Sequence, residues 1–228
     1  MLISNRPGET FDDFLEEEFQ CADSIKIASG YLGLAAFKQY GTRLESIVRE
    51  GGVVQIIGGL GSWEGVSPAL ETELIRLHQY LAGHSPDSGI FFCVKERYHG
   101  KIYLIANSEA RSVSVGSSNF SATGMGGWLE ANWIDSDADQ YRNTEEYFNY
   151  LLLNSASIVD ISLPVKGTGR SASRTISERP RESIEVPRDV WSQSIAFEIE
   201  IKTTPKSNIN LTFGPGRRNL RGRYNLRP

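Results

Sequence analysis

The sequence predicts an α/β fold in which a mixed β-sheet is flanked by helices on both faces. Amphipathic helical segments alternate with short apolar strands along residues 1–165, which is typical of a sheet covered on two sides. Between residues 90 and 134 several strands follow one another without a helix between them, so some neighbouring strands must run antiparallel. Hydrophobic residues make up 39% of the chain and charged residues 23%, which excludes a disordered or collagen-like class.

The individual elements follow from the hydrophobic period and from cap and turn residues. Phe11, Leu15 and Phe19 recur at helical spacing behind an N-cap candidate, Thr10, which predicts a helix over residues 10–20. A second helix, predicted over residues 34–49, ends before the glycines that follow position 50, and a third, over residues 67–81, has Pro68 at its start. A fourth helix is predicted over residues 138–153. Apolar runs predict strands over residues 24–31, 53–57, 90–95, 99–105, 112–116 and 129–134.

The charge divides the chain into two parts. Residues 1–165 carry 11 Lys and Arg against 22 Asp and Glu, a net charge of −11, whereas residues 166–228 carry 13 against 6, a net charge of +7. A basic segment can bind a polyanion such as nucleic acid, and it can equally be a solvated linker with ordinary surface arginines. We therefore expect two units with different tasks, the first over residues 1–165.

The basic part of the chain begins with a linker. Residues 166–190 are rich in Ser, Arg, Pro and Glu and lack apolar periodicity. Residues 191–203 then alternate as a strand, and a glycine-rich run with several arginines follows over residues 214–224. Since chains of fewer than about 40 residues seldom hold a core alone, residues 191–228 either dock on the first domain or begin a second domain that is truncated in this sequence. We favour the second alternative.

Membrane and secretory classes find no support in the sequence. The longest apolar runs fall far short of the roughly 20 residues that cross a bilayer. The first residues lack the basic stretch and apolar core of a signal peptide. The two cysteines, Cys21 and Cys93, are expected to be reduced, buried thiols, so we expect a cytoplasmic protein without membrane contact.

The residues that can carry chemistry concentrate in two short sequences, HGK and GSSN. Positions i and i+2 of a strand share a face, so His99 and Lys101 should point the same way. Ser117 and Asn119, together with free backbone N–H groups, should project where the next strand ends. A histidine, an ammonium group and several neutral donors around one point suit a phosphoryl group, with histidine as nucleophile or general acid.

This pattern resembles the phospholipase D superfamily, whose signature is His-x-Lys followed by Gly-Ser-x-Asn. The match is carried by HGK and GSSN, with 18 residues from Lys101 to Asn119. The upstream sequences IASGYLG and IIGGLG also look like the nucleases of this superfamily, so the resemblance covers most of residues 1–160. It implies a phospholipase D-like fold, with residues 1–165 as a phosphodiesterase catalytic domain and residues 191–228 as the start of a truncated, β-rich, C-terminal DNA-binding domain.

One position departs from the motif of the superfamily, which has an acidic residue five positions after the lysine. This chain has Ala106 there, which argues against a lipid-hydrolysing or phospholipid-synthase activity. The chain looks more like the restriction endonucleases of the superfamily, in which a glutamate 11 residues past the asparagine serves instead, and Glu130 stands there. The resemblance implies that Glu130 hydrogen-bonds a ring nitrogen of His99 and fixes its tautomer. The alternative is an ordinary strand-edge glutamate paired with an arginine.

The superfamily builds one active site from two such motifs, whereas this chain has one. His78 and His84 do not repeat the motif, and we expect both at the surface. One chain therefore supplies half a site, and we infer a homodimer with the cleft on its two-fold axis. One His99 would attack phosphorus to give a phosphohistidine, and the second would protonate the leaving oxygen. No cofactor and no metal ion is expected, because the lysines and neutral donors offset the charge of the phosphate.

The leading hypothesis is a metal-independent DNA endonuclease of the restriction type. Two alternatives stay open, namely a phosphodiesterase of the same fold acting on RNA or lipid, and a non-catalytic domain that binds DNA or a partner protein. A separate helicase or ATPase subunit could assist, because the chain itself lacks a Gly-x-x-x-x-Gly-Lys-Ser/Thr loop. Among the aromatic residues, Phe120 and Trp128 are expected in the core or in a dimer interface, and Tyr103, Trp133 and Tyr147 in packing.

Overall fold

An eight-stranded mixed sheet forms the centre of the protein. The computed structural model describes residues 1–166 and, for the backbone alone, residues 201–203 and 209–211. The strands are β1 (Leu2–Ile3), β2 (Ser24–Ser29), β3 (Val53–Gly58), β4 (Gly89–Cys93), β5 (Lys101–Ala106), β6 (Arg111–Gly116), β7 (Asn132–Asp135) and β8 (Ser155–Ser157). They lie in the order β1-β7-β6-β5-β2-β3-β4-β8. Strands β2, β3 and β4 are parallel, whereas every other pairing in this sheet is antiparallel, so the predicted mixed sheet is confirmed.

Helices cover both faces of the sheet, as predicted. They are α1 (Phe11–Cys21), α2 (Leu34–Arg49), α3 (Gly61–Glu64), α4 (Pro68–His84) and α5 (Ala138–Leu153), with a π-helical turn at Thr123–Gly127 and a 3₁₀ turn at Ile158–Asp160. On one face, apolar residues of α1, α2 and α4 pack against β2 and β5 around Ile27 and Tyr103. On the other face, Phe148 and Leu151 of α5 pack against Leu104 of β5. Burial of these two apolar layers is the main stabilising contribution to the fold.

Local sequence signals fix where the first helices begin. The Thr10 hydroxyl accepts a hydrogen bond from the Asp13 N–H at 3.1 Å, and the Asp13 carboxylate accepts one from the Thr10 N–H at 2.9 Å. This reciprocal capping box satisfies two backbone donors that the helix leaves free. Ser67 caps α4 in a similar way, with Pro68 as its first residue. The predicted caps are therefore confirmed.

Four side chains differ from expectation. Tyr147, predicted to pack, is 47% exposed on α5. His78 is buried, because α4 turns it toward the sheet, where its Nδ1 accepts a hydrogen bond from the Ile90 N–H at 3.0 Å. Burial lowers the pKa of His78, which favours the neutral ring that this bond requires. Cys21 is exposed at the end of α1, whereas Cys93 is buried as predicted. Trp133 is exposed, because α5 does not extend over β7.

The predictions for the C-terminal part fall almost entirely outside the described residues. The linker over residues 166–190 and the glycine-rich run over residues 214–224 lie there. Within the strand expected over residues 191–203, the described end, Ile201–Thr203 (β9), pairs antiparallel with Ile209–Leu211 (β10). Among the described residues, no helix is long and apolar enough to cross a bilayer.

Asn5 ties the N-terminal segment to the loop before β7. Its side-chain amide donates to the carbonyl oxygens of Gly124 at 3.0 Å and Trp128 at 2.9 Å, and its Oδ1 accepts from the Phe11 N–H at 2.7 Å. Asn5 is buried and has a φ of 52°, a left-handed conformation that asparagine tolerates better than most residues.

We predict that Asn5→Ala lowers the free energy of unfolding by about 3 kcal/mol, because it leaves buried polar groups without partners and strains the backbone. Urea denaturation followed by circular dichroism measures this change. Asn5→Gly is the matched control, since it relieves the backbone strain but loses the same hydrogen bonds. A loss below about 0.5 kcal/mol for the alanine variant, as at an ordinary surface position, would contradict this role.

Candidate active site

The predicted site residues gather at one edge of the sheet. This edge carries the carboxyl ends of β2, β3 and β6 and the amino ends of β5 and β7. Ser29, the last residue of β2, pairs with Lys101, the first residue of β5. Gly116, the last residue of β6, pairs with Asn132, the first residue of β7. The turns that leave this edge can therefore place their side chains around one region.

His99 and Lys101 lie together, although His99 precedes β5 rather than standing on it. The Lys101 Nζ is 3.3 Å from Nδ1 and 3.5 Å from Nε2 of His99, and it donates to the His99 carbonyl oxygen at 2.7 Å. The Lys101 side chain is only 5% exposed, whereas the imidazole is exposed. Burial lowers the pKa of the Lys101 ammonium, and the nearby charge of Glu130 opposes this lowering.

The turn after β2 forms the wall behind His99. The Tyr31 ring meets the imidazole edge to face, with 5.6 Å between the centroids, and the Gly30 N–H donates to the Gly100 carbonyl oxygen at 3.1 Å. A side chain at position 30 would lie 3.1 Å from a ring carbon of His99, so glycine allows this close approach. Sequence reasoning did not assign Gly30 or Tyr31 a place in the site. The available signal was a Ser-Gly-Tyr sequence directly after a buried parallel strand.

Asn119 joins the turn after β6 to the turn after β2. Its Oδ1 accepts from the Tyr31 N–H at 3.0 Å and lies 3.4 Å from the Ser29 hydroxyl. The Ser29 hydroxyl in turn accepts from the Phe120 N–H at 3.0 Å. Asn119 thus holds the ring of Tyr31 against His99. In the described part of the chain, it makes no direct hydrogen bond to His99 or Lys101.

Ser117 and Glu130 form a pair beside these residues. The Ser117 hydroxyl donates to the Glu130 carboxylate and accepts from the Ala131 N–H at 2.9 Å. Within the described residues of one subunit, the carboxylate bonds this hydroxyl and not the imidazole of His99, which differs from the hydrogen bond that the resemblance implied. The charge of Glu130 instead acts on the Lys101 ammonium.

Buried side chains hold the GSSN turn in place. The Asn132 Oδ1 accepts from the Ser118 N–H at 3.2 Å, and its Nδ2 donates to the Ser118 hydroxyl at 2.8 Å. The Tyr103 hydroxyl donates to the Ser118 carbonyl oxygen at 2.8 Å from within the core. A side chain at Gly116 would lie 2.4 Å from the Asn132 Oδ1, so only glycine fits there. Tyr103 is therefore a packing residue, as expected, that also supports the turn.

Ala106 lies at the opposite end of β5 from Lys101. Ala106 is five positions further along the strand than Lys101, which corresponds to about 16 Å. A carboxylate at position 106 would thus stand far from the His99 of its own subunit, so the alanine does not alter the immediate surroundings of His99.

His99 and Lys101 open onto a groove of about 420 Å³. Its walls come from the segment before β5, from the end of β6 and from α5, and include Arg97, Val115 and Tyr147. An exposed imidazole and a buried lysine therefore line an open groove, and the Ser117–Glu130 pair follows directly after Gly116 in its wall.

Comparisons with known proteins agree with this architecture. Residues 9–163 match the model of a family described as the NgoFVII restriction endonuclease N-terminal PLD domain. NucT from Helicobacter pylori is 18% identical, covers 69% of this chain and 97% of its own, and superposes with a TM-score of 0.51. A polyphosphate kinase from Porphyromonas gingivalis is 14% identical over 68% of this chain and 26% of its own, with a TM-score of 0.52.

A third solved structure is Nuc from Salmonella typhimurium, a phospholipase D family member. It is 15% identical, covers 69% of this chain and 95% of its own, and has a TM-score of 0.49. No curated protein sequence matches this chain. The structural likenesses at or above a TM-score of 0.5 support the fold, and the family model spans more than half of the sequence. The chain therefore belongs to the phospholipase D-type family of the NgoFVII restriction endonuclease N-terminal domain, as HGK and GSSN predicted.

Proposed function

We propose that this protein is a metal-independent DNA endonuclease domain that hydrolyses phosphodiesters through a phosphohistidine in a site shared by two subunits. The observation that supports this most directly is the contact between the buried Lys101 ammonium and the exposed His99 imidazole. A nucleophile open to the groove and a fixed positive charge beside it are the two groups that attack on a phosphodiester needs.

The first step joins His99 to phosphorus. A ring nitrogen of His99 attacks the phosphorus, the nitrogen–phosphorus bond forms, and the bond from phosphorus to the leaving oxygen breaks. The leaving oxygen takes a proton from the imidazolium of the second His99. The Lys101 ammonium offsets the charge that develops on the non-bridging oxygens, so the proposal requires no metal ion.

The second step releases the product. The second His99, now neutral, accepts a proton from water as that water attacks phosphorus, and the nitrogen–phosphorus bond breaks. The product phosphate leaves and the first His99 returns to its starting state. One subunit holds a single HGK sequence, so we propose that a homodimer supplies the second histidine.

Glu130 and Ser117 support the charged state of Lys101 in this proposal. Burial disfavours the ammonium, whereas the carboxylate that Ser117 holds favours it. The hydrogen bond from Glu130 to a ring nitrogen of His99 that the resemblance implied stays a prediction.

The basic C-terminal part supplies sequence recognition in this proposal. Residues 166–228 carry a net charge of +7, in contrast to −11 for residues 1–165. We propose residues 166–190 as a linker and residues 191–228 as the start of a DNA-binding domain that brings the catalytic domain to its substrate. A helicase or ATPase partner stays a prediction.

We predict that His99→Ala lowers the rate of plasmid cleavage in EDTA by about 10⁴-fold, because it removes both nucleophile and general acid from the shared site. Conversion of supercoiled to nicked or linear plasmid on agarose gels measures the rate. The matched control is His84→Ala, since His84 is an exposed histidine on α4 whose Nδ1 contacts only its own helix.

Three results would contradict the proposal. Cleavage that EDTA abolishes and Mg²⁺ restores would exclude a metal-independent reaction. Cleavage by wild type without any phosphohistidine at His99, in a quenched reaction examined by mass spectrometry, would exclude the covalent intermediate. Release of headgroups from phospholipid vesicles, with no cleavage of DNA, would favour a lipid substrate instead.

We predict that Glu130→Gln shifts the alkaline limb of the kcat/KM profile to lower pH. The reaction needs charged Lys101, burial already lowers its pKa, and loss of the carboxylate lowers it further, so activity is lost earlier as the pH rises. Cleavage rates measured from about pH 6 to about pH 10 test this, because the ordinary lysine pKa lies just above that range. Glu109→Gln, in the turn at the far end of β5, is the control, and an unshifted limb in Glu130→Gln would contradict the coupling.

A further inference from the structure

One face of the sheet is bare at its β6–β7–β1 end. Leu2 pairs with Trp133, and Trp133 pairs with Val115, so these three side chains project from the same face in one continuous row. They are 55%, 59% and 48% exposed, respectively. Helix α5 covers the same face over β4, β5 and β6 but does not extend across β7 and β1.

The loop before β7 adds two more apolar side chains. Trp128 is 66% exposed and Leu129 is 81% exposed. We call these two residues, together with Leu2, Val115 and Trp133, the apolar face. Single exposed apolar residues are common on soluble proteins, but a row of paired strand residues that includes an indole is typical of an interaction surface.

The apolar face continues into the catalytic groove. Val115 belongs to both, and it lines the groove together with His99 and Lys101. A partner that covers the apolar face is thereby brought next to His99. This continuity distinguishes the apolar face from other exposed apolar positions, such as Leu153 at the end of α5.

We propose that the apolar face is the isologous interface through which a second copy of this chain docks. The inference rests on the proposed function, in which two His99 residues share one phosphorus and the second copy must approach from the side that carries His99. An apolar surface is complementary to itself, as a two-fold interface requires. Two bodies of net charge −11 repel each other, so contact is favoured where their surfaces lack charge, and the five residues of this face are uncharged.

Trp133→Glu tests the interface in the full 228-residue protein. Sedimentation equilibrium should give twice the chain mass of 25.4 kDa for wild type and the single chain mass for the variant. Loss of a central tryptophan and introduction of a carboxylate should raise the dimer dissociation constant at least about 100-fold. Leu153→Glu is the matched control, because Leu153 is 79% exposed outside the apolar face, and this variant should stay dimeric.

Leu129→Glu is a second variant that separates association from folding, since Leu129 stands in an exposed loop. It should also weaken the dimer while its circular dichroism spectrum matches wild type. A wild-type monomer at micromolar concentration, or a Trp133→Glu protein that stays dimeric, would overturn the proposal. Sedimentation does not depend on catalysis, so a wild-type dimer that Trp133→Glu dissociates, but that cleaves no DNA, would contradict the proposed function and support the interface.

A different observation concerns Arg97, two residues before His99. Its guanidinium carbon lies 5.5 Å from the centre of the Trp63 ring, and the side chain lines the same groove as His99. Arg43, Arg76 and Arg142 form ion pairs with carboxylates, whereas Arg97 has no carboxylate partner in the described part of the chain. A guanidinium that an aromatic face orients and no carboxylate neutralises is available for an anion.

We infer that Arg97 binds a DNA phosphate next to the scissile one, an inference that also rests on the proposed function. Arg97→Gln should weaken binding of a duplex oligonucleotide and reduce the slope of log K against log salt concentration by about 1 for each phosphate that is no longer neutralised. Fluorescence anisotropy measures both without requiring cleavage, and Arg142→Gln is the control. A wild type that binds DNA with the same slope as Arg97→Gln overturns the role of Arg97 alone, whereas a wild type that binds no DNA contradicts the proposed function.

Discussion

The buried ammonium of Lys101 is the constraint on which the site depends. Lys101 is only 5% exposed as a residue, and its ammonium needs partners because burial disfavours the charged form. The protein supplies the His99 carbonyl oxygen, an imidazole that can accept a hydrogen bond when it is neutral, and the field of Glu130. A bound phosphodiester would add an anion in direct contact with the Lys101 ammonium. The burial that disfavours this charge in the free protein thus favours binding of an anionic substrate.

Rigid turns keep this arrangement in register. Asn119 connects the turn after β6 to the backbone of Tyr31, and Asn132 binds both the N–H and the hydroxyl of Ser118. Each of these side-chain amides provides hydrogen bonds to polar groups that folding removes from water. Of the signature sequence GSSN, the glycine lines the groove, the first serine bonds Glu130 and the second is buried. The asparagine acts mainly on the wall behind His99, so much of the signature is structural support for a small reacting centre.

Most of the fold could be predicted from the sequence, because the hydrophobic period reports which face of each element is buried. The grouping of His99 with Lys101 could be predicted as well, since it depends on local spacing. The burial of His78 could not, because a histidine on an apolar helical face is compatible with solvent or core until its partner is known. The exposure of Trp133 could not be predicted either, because the same alternating strand pattern accommodates a tryptophan that is buried in the core and one that is exposed at the surface. The contact of Glu130 with Ser117 depends on how two loops meet, which no local pattern encodes.

The proposed two-fold dimer would explain how a domain of net negative charge can bind a polyanionic substrate. A net charge of −11 over residues 1–165 repels DNA at long range, yet at physiological salt that repulsion decays within about 8 Å. The charge felt at the phosphorus is therefore set by the nearest groups, which in the proposed dimer would be two copies each of Lys101, Arg97 and Glu130, a net charge of +2. Pairing through an uncharged face doubles this local positive charge without bringing acidic surfaces together. The basic residues 166–228, with a net charge of +7, can then neutralise neighbouring DNA phosphates at short range, which the acidic body cannot do.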